Sequence, residues 1–308
     1  MRAAVVDSLV HLLFAVECKV CGAATALRSE TICYACREAA PEILSSVCAA
    51  CGRPFLGEGS ARSNLLVQAS RNCGQCLRKR PPFEAARSFG LYRDGLRTMV
   101  HGFKYGADLS AGRVLTRFLR KAAERHGILE NVDAVTYVPS HWTRRLARGF
   151  EPVRVLAMEL ARDAGLPAAR LLRKRFLRKR LSLMARLLLK TLLRKKLSLV
   201  ARLSLAAKLL RNTRITNQVG LSLPERKSNV RRAFAPTRRM RGNRPRSVLL
   251  VDDVYTTGAT ARACARALRR GGARRIRILT VARTWNIESE EHDGKNQPGR
   301  EAVSSVGL

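Results

Sequence analysis

Residues 248–260 of the chain read VLLVDDVYTTGAT and pass from aliphatic to acidic to hydroxyl-bearing side chains. The aliphatic start, Val248–Val251, is typical of a parallel strand that is covered on both faces. Asp252 and Asp253 stand at the end of this predicted strand. Because ligands of parallel α/β sheets bind at the carboxyl ends of strands, both aspartates are candidate ligand-binding residues.

The turn after the aspartates has the composition of a phosphate-binding segment. TTGAT opens a predicted helix, whose free N–H groups and dipole favour an anion. The hydroxyls of Thr256, Thr257 and Thr260 add hydrogen-bond donors, and Gly258 lets the backbone approach the ligand closely. Adjacent carboxylates accept hydrogen bonds from vicinal hydroxyls, so they suit the diol of a ribose. Such carboxylates are also expected to lie near Mg²⁺. The stretch therefore predicts a single ligand with a ribose diol and a 5′-phosphate.

Three other interpretations compete with a ribose phosphate site. An aliphatic strand ending in two aspartates is typical of the Walker B segment of ATPases, but the sequence contains no GxxxxGK[ST] motif. A dinucleotide site would need GxGxxG after a strand, and that motif is absent too. An ordinary strand–turn–helix would leave two carboxylates at a buried strand end without partners, which is costly.

Strand and helix patterns alternate along the second part of the chain. Predicted strands cover residues 88–93, 133–139, 246–254 and 275–283. Predicted helices cover residues 96–105, 113–125, 152–164 and 257–272. Such alternation predicts a parallel sheet flanked by helices.

Cysteines dominate the first 80 residues. Eight of the nine form four Cys-x-x-Cys pairs: Cys18/Cys21, Cys33/Cys36, Cys48/Cys51 and Cys73/Cys76. Two pairs complete a tetrahedral zinc site, so we expect the first two pairs to bind one structural zinc and the last two another. Disulfides would require an oxidising compartment, and a redox Cys-x-x-Cys usually occurs singly. Cys264, in a predicted helix, is expected to be a small core residue.

Positive charge is concentrated in one part of the chain. The net charge is +36, and residues 170–211 hold 15 lysines and arginines with no acidic residue. Within them KRLSLMARL (179–187) recurs as KKLSLVARL (195–203). A cationic amphipathic helix could contact nucleic acid or a membrane surface, whereas a tolerated insertion would have no dedicated role. The excess charge indicates a polyanionic partner or a solvated basic face.

The ends of the chain carry weaker signals. No run of about 18 apolar residues occurs, so the sequence predicts no transmembrane helix. The first 16 residues are read as a short amphipathic helix, because Asp7 and His11 interrupt their apolar run. We therefore expect a cytoplasmic protein. The polar residues 288–308 are predicted to be a disordered tail.

VLLVDDVYTTGAT is similar to the phosphoribosyl pyrophosphate (PRPP) motif of type I phosphoribosyltransferases. The chain as a whole resembles the competence protein F (ComF) family, which joins a double zinc ribbon to such a domain. The matching segments are the four cysteine pairs, HGFKYGAD (101–108), YVPSHWTRRLARGF (137–150), QVGLSLPERKSNVRRAF (218–234) and the motif itself. The motif alone is typical of the superfamily, whereas the combination is typical of ComF.

The resemblance implies a domain organisation. A type I phosphoribosyltransferase fold, a parallel sheet flanked by helices with a hood, follows a small N-terminal double zinc ribbon. We expect the ribbon in residues 1–80 and the phosphoribosyltransferase-like domain in residues 81–287. The basic leucine-rich repeat is an insertion at about residues 173–210.

Site roles also follow from the resemblance. Asp252 and Asp253 would hold the ribose hydroxyls, and the turn Thr256, Thr257, Gly258, Ala259 and Thr260 would hold the 5′-phosphate. Val138, Pro139 and Ser140 match the turn that faces pyrophosphate. Lys104, Arg144, Arg145 and Arg148 are candidates to neutralise pyrophosphate or hold a polyanion, with Lys104 and the two aspartates as the catalytic candidates. Gln218, Arg226 and Asn229 lie in a family segment whose role the residues do not reveal.

The function that the resemblance implies is binding of Mg²⁺ and PRPP, a role in DNA uptake or processing, and phosphoribosyl transfer to a nitrogen acceptor. The alternative is a non-catalytic protein that binds single-stranded DNA or serves as a scaffold for a DNA-uptake helicase. Three departures fall near the expected acceptor side: Glu151 replaces an amide of the family, Thr216-Asn217 replaces Pro-Pro, and the basic repeat interrupts the chain just before the family segment that contains Gln218. These departures concern binding of the acceptor, on which phosphoribosyl transfer depends.

Overall fold

A computed structural model describes residues 16–25, 30–55, 71–140, 146, 148–174, 233–243 and 245–285. The predicted N-terminal helix, most of the basic repeat and the predicted tail lie outside these residues. So do Arg144, Arg145, Gln218, Arg226 and Asn229.

The described residues form seven helices and six strands. In chain order they are α1 (Tyr34–Glu38), α2 (Gly74–Arg78), β1 (Ala85–Leu91), α3 (Asp94–Gly106), α4 (Leu109–Arg125), β2 (Ala134–Tyr137), α5 (Pro152–Asp163), β3 (Leu172–Lys174), β4 (Phe234–Pro236), α6 (Arg238–Asn243), β5 (Ser247–Tyr255), α7 (Ala259–Arg270) and β6 (Arg275–Arg283).

The aliphatic strand of the opening motif lies inside a parallel sheet. The order of the four strands is β1-β6-β5-β2, and all neighbours are parallel. Strand β5 therefore has a hydrogen-bonded neighbour on each side, with Val251 opposite Tyr137 of β2 and Leu279 of β6. Its first five residues are buried, as expected for a strand covered on both faces.

Helices cover both faces of this sheet. On one face α3, α4 and α5 pack against the strands in a core that includes Leu96, Leu119, Leu156 and Leu249. On the other face α7, α6 and the antiparallel pair β3–β4 form a second core with Leu250. Cys264 of α7 is fully buried in that second core, as predicted. The predicted fold class, a parallel sheet flanked by helices beside a zinc ribbon, is confirmed.

The cysteine-rich region packs along the free edge of the sheet. Strand β1 is the outer strand there, and its backbone is hydrogen-bonded by the ribbon instead of by a further strand. Ile43 N donates to Phe89 O at 2.9 Å, and Ala86 N donates to Ala50 O at 2.8 Å. An exposed strand edge invites pairing with other chains, so the ribbon protects this edge as well as carrying cysteines.

Asp108 makes the second connection between the ribbon and the domain. Its carboxylate caps α4 by accepting from Ala111 N at 3.0 Å. It also accepts from Thr31 Oγ1 at 2.7 Å and lies 3.0 Å from Lys19 Nζ. The cap explains why α4 begins at Leu109, earlier than its predicted start at residue 113.

The other predicted elements are also confirmed; β6 has the predicted bounds, and the others have shifted ends. The predicted strand at 88–93, for example, begins earlier, at Ala85, and ends at Leu91. The pair β3–β4 was not predicted, because each strand has three residues and residues 175–233 separate them. The domain boundaries at residues 80 and 287 stay predictions.

We predict that Asp108→Ala destabilises the protein by about 2–3 kcal/mol, because a helix cap is lost and the half-buried Thr31 hydroxyl and the Lys19 ammonium lose their acceptor. Urea unfolding of the zinc-loaded protein, followed by circular dichroism, measures this free energy. The control is Asp163→Ala, which removes only longer pairs with Arg120 and Arg162, at 3.9 and 3.5 Å. The control should cost less than about 1 kcal/mol. Equal losses in the two variants would contradict the assigned role of Asp108.

Candidate functional site

The two aspartates of the motif lie at the carboxyl edge of the sheet, and a lysine from a different element meets them there. Asp253 Oδ2 is 2.8 Å from Lys104 Nζ, and Lys104 stands in the last turn of α3. Both side chains are largely buried, with exposed fractions of 18% and 20%. Both residues were predicted to belong to the site, but their ion pair was not predicted because they are far apart in the sequence.

The carboxyl group of Asp252 has a strongly perturbed pKa. Burial, and then the charge of Asp253, raises the pKa of Asp252 well above its usual range. The ammonium of Lys104 and a hydrogen bond from Asp253 N to Asp252 Oδ1, at 3.0 Å, act in the opposite direction. A buried carboxyl group with a raised pKa beside a second carboxyl group is suited to hydroxyl-bearing or cationic ligands.

The phosphate-binding turn predicted after β5 has an open, hydroxyl-lined entrance. Thr256, Thr257 and Thr260 are exposed, as is Ala259, and α7 starts directly after Gly258. The first turn of α7 contains no acidic residue. The positive end of the helix dipole therefore lies beside exposed hydroxyls, with no acidic residue in the first turn of α7 itself, and Ala259 N is held by Thr257 Oγ1 at 3.4 Å.

Gly258 gives the turn its shape. Its φ of 72° and ψ of 7° lie in the left-handed region, where a side chain is strained. A Cβ at this position would also lie 2.2 Å from Tyr255 Oη, closer than real atoms approach. Glycine is therefore required here by both conformation and space.

The loop after β2 lies beside this turn. Val138 N donates to Val251 O at 3.0 Å, which continues the pairing of β2 with β5. Val138, Asp252, Thr256, Gly258 and Thr260 all line one small cavity of about 20 Å³. The structure thus brings the candidate pyrophosphate turn, one aspartate and the candidate phosphate turn together.

Glu151 takes a specific position in this loop. It is buried, with an exposed fraction of 7%, and its Oε1 accepts from Ser140 N at 2.9 Å. The glutamate that departs from the resembled family thus accepts a hydrogen bond from the backbone of the predicted pyrophosphate turn. Sequence reasoning placed Glu151 near the acceptor and missed this contact, since eleven positions separate the two residues.

The basic candidates are only partly described. Arg148 lies with its Cζ 4.5 Å from the centre of the Tyr105 ring, beside the last turn of α3 that carries Lys104. Arg144 and Arg145 lie outside the described residues. Where the structure describes them, the basic candidates therefore gather near the same end of α3.

The cysteines form two compact groups with the pairing that the sequence predicts. The first tetrad is Cys18, Cys21, Cys33 and Cys36, and the second is Cys48, Cys51, Cys73 and Cys76. Within each tetrad all sulfur atoms lie within 4.8 Å of one another. The Cys21–Cys33 and Cys51–Cys73 sulfur distances are both 3.7 Å, too long for a disulfide. Four sulfurs at about 2.3 Å from one zinc would lie about 3.8 Å apart, so the tetrads fit structural zinc.

We predict that Gly258→Ala destabilises the protein by at least about 1–2 kcal/mol, from the left-handed conformation alone, with the clash against Tyr255 added. Thermal and urea unfolding measure the effect. The control is Gly102→Ala, at a site in α3 where a Cβ meets nothing within 4 Å. That variant should be about 0.5–1 kcal/mol more stable than the wild type. A stable Gly258→Ala protein would show that the turn does not need glycine.

We also predict two zinc ions per chain, one in each tetrad, and different rates of release. All four cysteines of the second tetrad are buried, whereas Cys21 of the first is exposed, so a chromogenic chelator should extract the first zinc faster. Elemental analysis gives the number of zinc ions per chain. The Cys21→Ser variant should keep only the zinc of the second tetrad, so its release assigns the slower of the two kinetic phases. A single rate for both ions, or a content of one, would contradict this assignment.

Comparison with known protein families identifies the cysteine-rich region. Residues 9–77 match the family described as "Double zinc ribbon domain". Among the described residues, no helix has the length and apolar character needed to cross a membrane.

Relatives extend beyond the ribbon. Competence protein F of Haemophilus influenzae is 25% identical over 259 residues, which are 82% of this chain and 96% of that protein. The DNA utilization protein YhgH of Salmonella typhimurium and that of Escherichia coli K12 are each 26% identical over 271 residues, 87% of this chain and 96% of theirs.

One solved structure is more distantly similar. It is glutamine phosphoribosylpyrophosphate (PRPP) amidotransferase from B. subtilis, in complex with ADP and GMP, at 18% identity and a TM-score of 0.31. The likeness covers 59% of this chain and 30% of that one, and it is too weak to support a functional argument. The sequence relatives are more informative: the chain is a homologue of Competence protein F and of YhgH over most of its length, with a double zinc ribbon at its N-terminal end.

Proposed function

We propose that the protein binds PRPP together with Mg²⁺ at the carboxyl edge of its sheet. The observation that carries the proposal is the geometry at the end of β5, where two carboxylates are followed by an exposed, glycine-capped helix start. In a ribose 5-phosphate the diol would match the two carboxylates, and the phosphate would match the helix start. The resemblance of VLLVDDVYTTGAT to the PRPP motif supports the same ligand.

Each part of the ligand has candidate partners in this arrangement. The ribose hydroxyls would donate to Asp252 and Asp253, and the 5′-phosphate would accept from the turn at 256–260. The pyrophosphate would lie against Val138, Pro139 and Ser140. Mg²⁺, when bound with PRPP, would supply positive charge to the pyrophosphate oxygens.

Lys104 and the arginines would complete the charge balance. In the structure Lys104 is paired with Asp253 at 2.8 Å. When a diol and a cation bind the carboxylates, the same ammonium is close enough to the site to stabilise the departing pyrophosphate. Arg148 and Arg145 are proposed for the outer part of this anion.

The reaction proposed for this site is phosphoribosyl transfer. The bond from C1 of the ribose to the pyrophosphate oxygen breaks, and pyrophosphate leaves with the electron pair. A nitrogen acceptor forms the new bond at C1 and releases its proton to solvent or a base. The protein contributes positioning and charge stabilisation, through the fixed carboxylates and Lys104.

The cellular role proposed is DNA uptake or DNA processing. The names of the relatives, Competence protein F and DNA utilization protein, support this role. A cytoplasmic location is proposed with it, since eight thiolates that hold zinc suit a reducing compartment.

A second candidate function is a non-catalytic one. The net charge of +36, with 15 basic and no acidic residues at positions 170–211, favours binding of a polyanion such as single-stranded DNA. In this case the phosphate site would hold a regulatory ligand, and the zinc ribbon would dock a DNA-uptake helicase. Failure of PRPP to bind the wild type would make this function the preferred one.

Calorimetric titration of zinc-loaded protein with PRPP and Mg²⁺ tests the proposal. We predict saturable binding that Asp252→Asn/Asp253→Asn weakens at least about 100-fold, because hydrogen bonds to two charged acceptors are lost. Asp163→Asn, at the exposed end of α5, is the matched control and should bind like the wild type. Unchanged binding by the double variant would place PRPP elsewhere.

The protonation of Asp252 gives a further prediction. Its pKa is raised in the free protein, and ribose hydroxyls and Mg²⁺ favour the ionised carboxylate, so binding should lower this pKa and tighten as the pH rises through it. Carbon-13 NMR of the aspartate carboxyls measures both states, and Asp252→Asn assigns the signal. An Asp252 carboxyl that titrates near its ordinary value of about 3.9 in the free protein would contradict this prediction.

A further inference from the structure

A buried arginine lies between the second cysteine tetrad and the phosphate turn. Arg283, the last residue of β6, has an exposed fraction of 4%. Its Nη1 donates to Cys51 O at 2.8 Å, and its Cζ lies 5.1 Å from the centre of the Tyr255 ring. One guanidinium therefore contacts a zinc knuckle on one side and the end of β5 on the other.

Tyr255 continues this connection to the phosphate turn. It is the last residue of β5, lies beside Arg283 in the parallel pairing of β5 and β6, and is 5% exposed. Its hydroxyl is so close beneath Gly258 that a Cβ there would lie 2.2 Å away. Tyr255 thus packs directly against Gly258, the N-cap residue of α7.

The second knuckle is held tightly against the domain at the same place. A Cβ at Gly52 would lie 2.3 Å from Ala86 O and 3.4 Å from Arg283 Nη1. Arg87 Nη1 also donates to Ala49 O, at 2.9 Å. Because close-packed contacts of this kind transmit displacement, a change in the knuckle cannot leave Arg283 in place.

The carbonyl that Arg283 needs belongs to a residue that binds metal. Cys51 is one of four sulfur ligands, so a zinc ion in the second tetrad fixes the backbone on both sides of this carbonyl. If the knuckle opened, a buried guanidinium would lose its acceptor, which is strongly unfavourable. The first tetrad connects instead to α4, through Lys19 and Asp108.

We propose that the second tetrad, Arg283, Tyr255 and the phosphate turn form one coupled unit, in which Arg283 is the positioning residue. Zinc in the second tetrad then strengthens binding of a phosphoribosyl ligand at the turn, and the ligand retains the zinc to the same degree, because such coupling is reciprocal. Zinc in the first tetrad has no such effect. This inference rests on the proposed PRPP site.

The rate of zinc release to a chromogenic chelator, with and without saturating Mg²⁺-PRPP, tests the coupling without any measurement of turnover. In the wild type PRPP should slow the release from the second tetrad about tenfold and leave the release from the first unchanged. Cys21→Ser, which keeps only the second zinc, should show the slowed phase alone.

Arginine variants test the route of the coupling. Arg283→Met should bind PRPP about tenfold more weakly, and its zinc release should no longer respond to PRPP. Arg277→Met is the matched control, since Arg277 lies on the same face of β6 but donates to Glu130 O, at 2.6 Å, at the opposite end of the strand. Arg277→Met should keep the wild-type affinity for PRPP and the slowing of zinc release by PRPP.

The outcomes separate the two claims. Saturable PRPP binding with equal release rates in its presence and absence would overturn the coupling and leave the proposed function standing. A wild type that binds no PRPP would overturn the proposed function first, and the coupling with it. A persistent response in Arg283→Met would overturn the role of Arg283. Should Arg283→Met fail to fold, Arg283→Lys replaces it, and the wild-type comparison of the two tetrads still decides whether the coupling exists.

Discussion

The candidate site depends on the burial of β5 between two neighbouring strands and under two layers of helices. A charged side chain in the interior of a strand enclosed in this way would be removed from water, which is strongly unfavourable. Asp252 and Asp253 are therefore confined to the carboxyl edge of the sheet. The end of β2, the end of α3 and the start of α7 reach the same edge, and each contributes a polar group to it. The chemistry of the site is thus a consequence of where the aliphatic run stops.

Much of this arrangement could be predicted from local patterns. The aliphatic run, the paired aspartates and the glycine before α7 are consecutive in the chain, so their relative placement followed from strand and helix geometry. The zinc tetrads could be grouped because two closely spaced cysteines face one metal and consecutive pairs are the simplest combination. Such features need no knowledge of distant contacts.

The features that the sequence did not reveal are contacts between distant segments. Glu151 fixes Ser140, Lys104 meets Asp253, and Arg283 joins Cys51 to Tyr255. No periodicity marks these pairs, because each depends on how separate elements pack. The pair β3–β4 was missed for the same reason, although loop closure makes a long connection inexpensive and so allows residues 175–233 to separate two strands that pair.

The zinc ribbon contacts the sheet domain at three places. It hydrogen-bonds the outer edge of β1, is tied to α4 through Asp108, and reaches the carboxyl edge of the sheet through Arg283. The ribbon and the parallel sheet therefore share a continuous set of contacts that ends beneath the candidate phosphate turn. On this account the metal sites and the ligand site belong to one mechanical assembly.

A crystal structure of the zinc-loaded protein with Mg²⁺ and PRPP would test the central claim most directly. The account predicts ribose hydroxyls on Asp252 and Asp253, the 5′-phosphate on the turn at 256–260, and pyrophosphate against the loop at 138–140. Density for PRPP at another surface, or an empty carboxyl edge at a saturating ligand concentration, would contradict it.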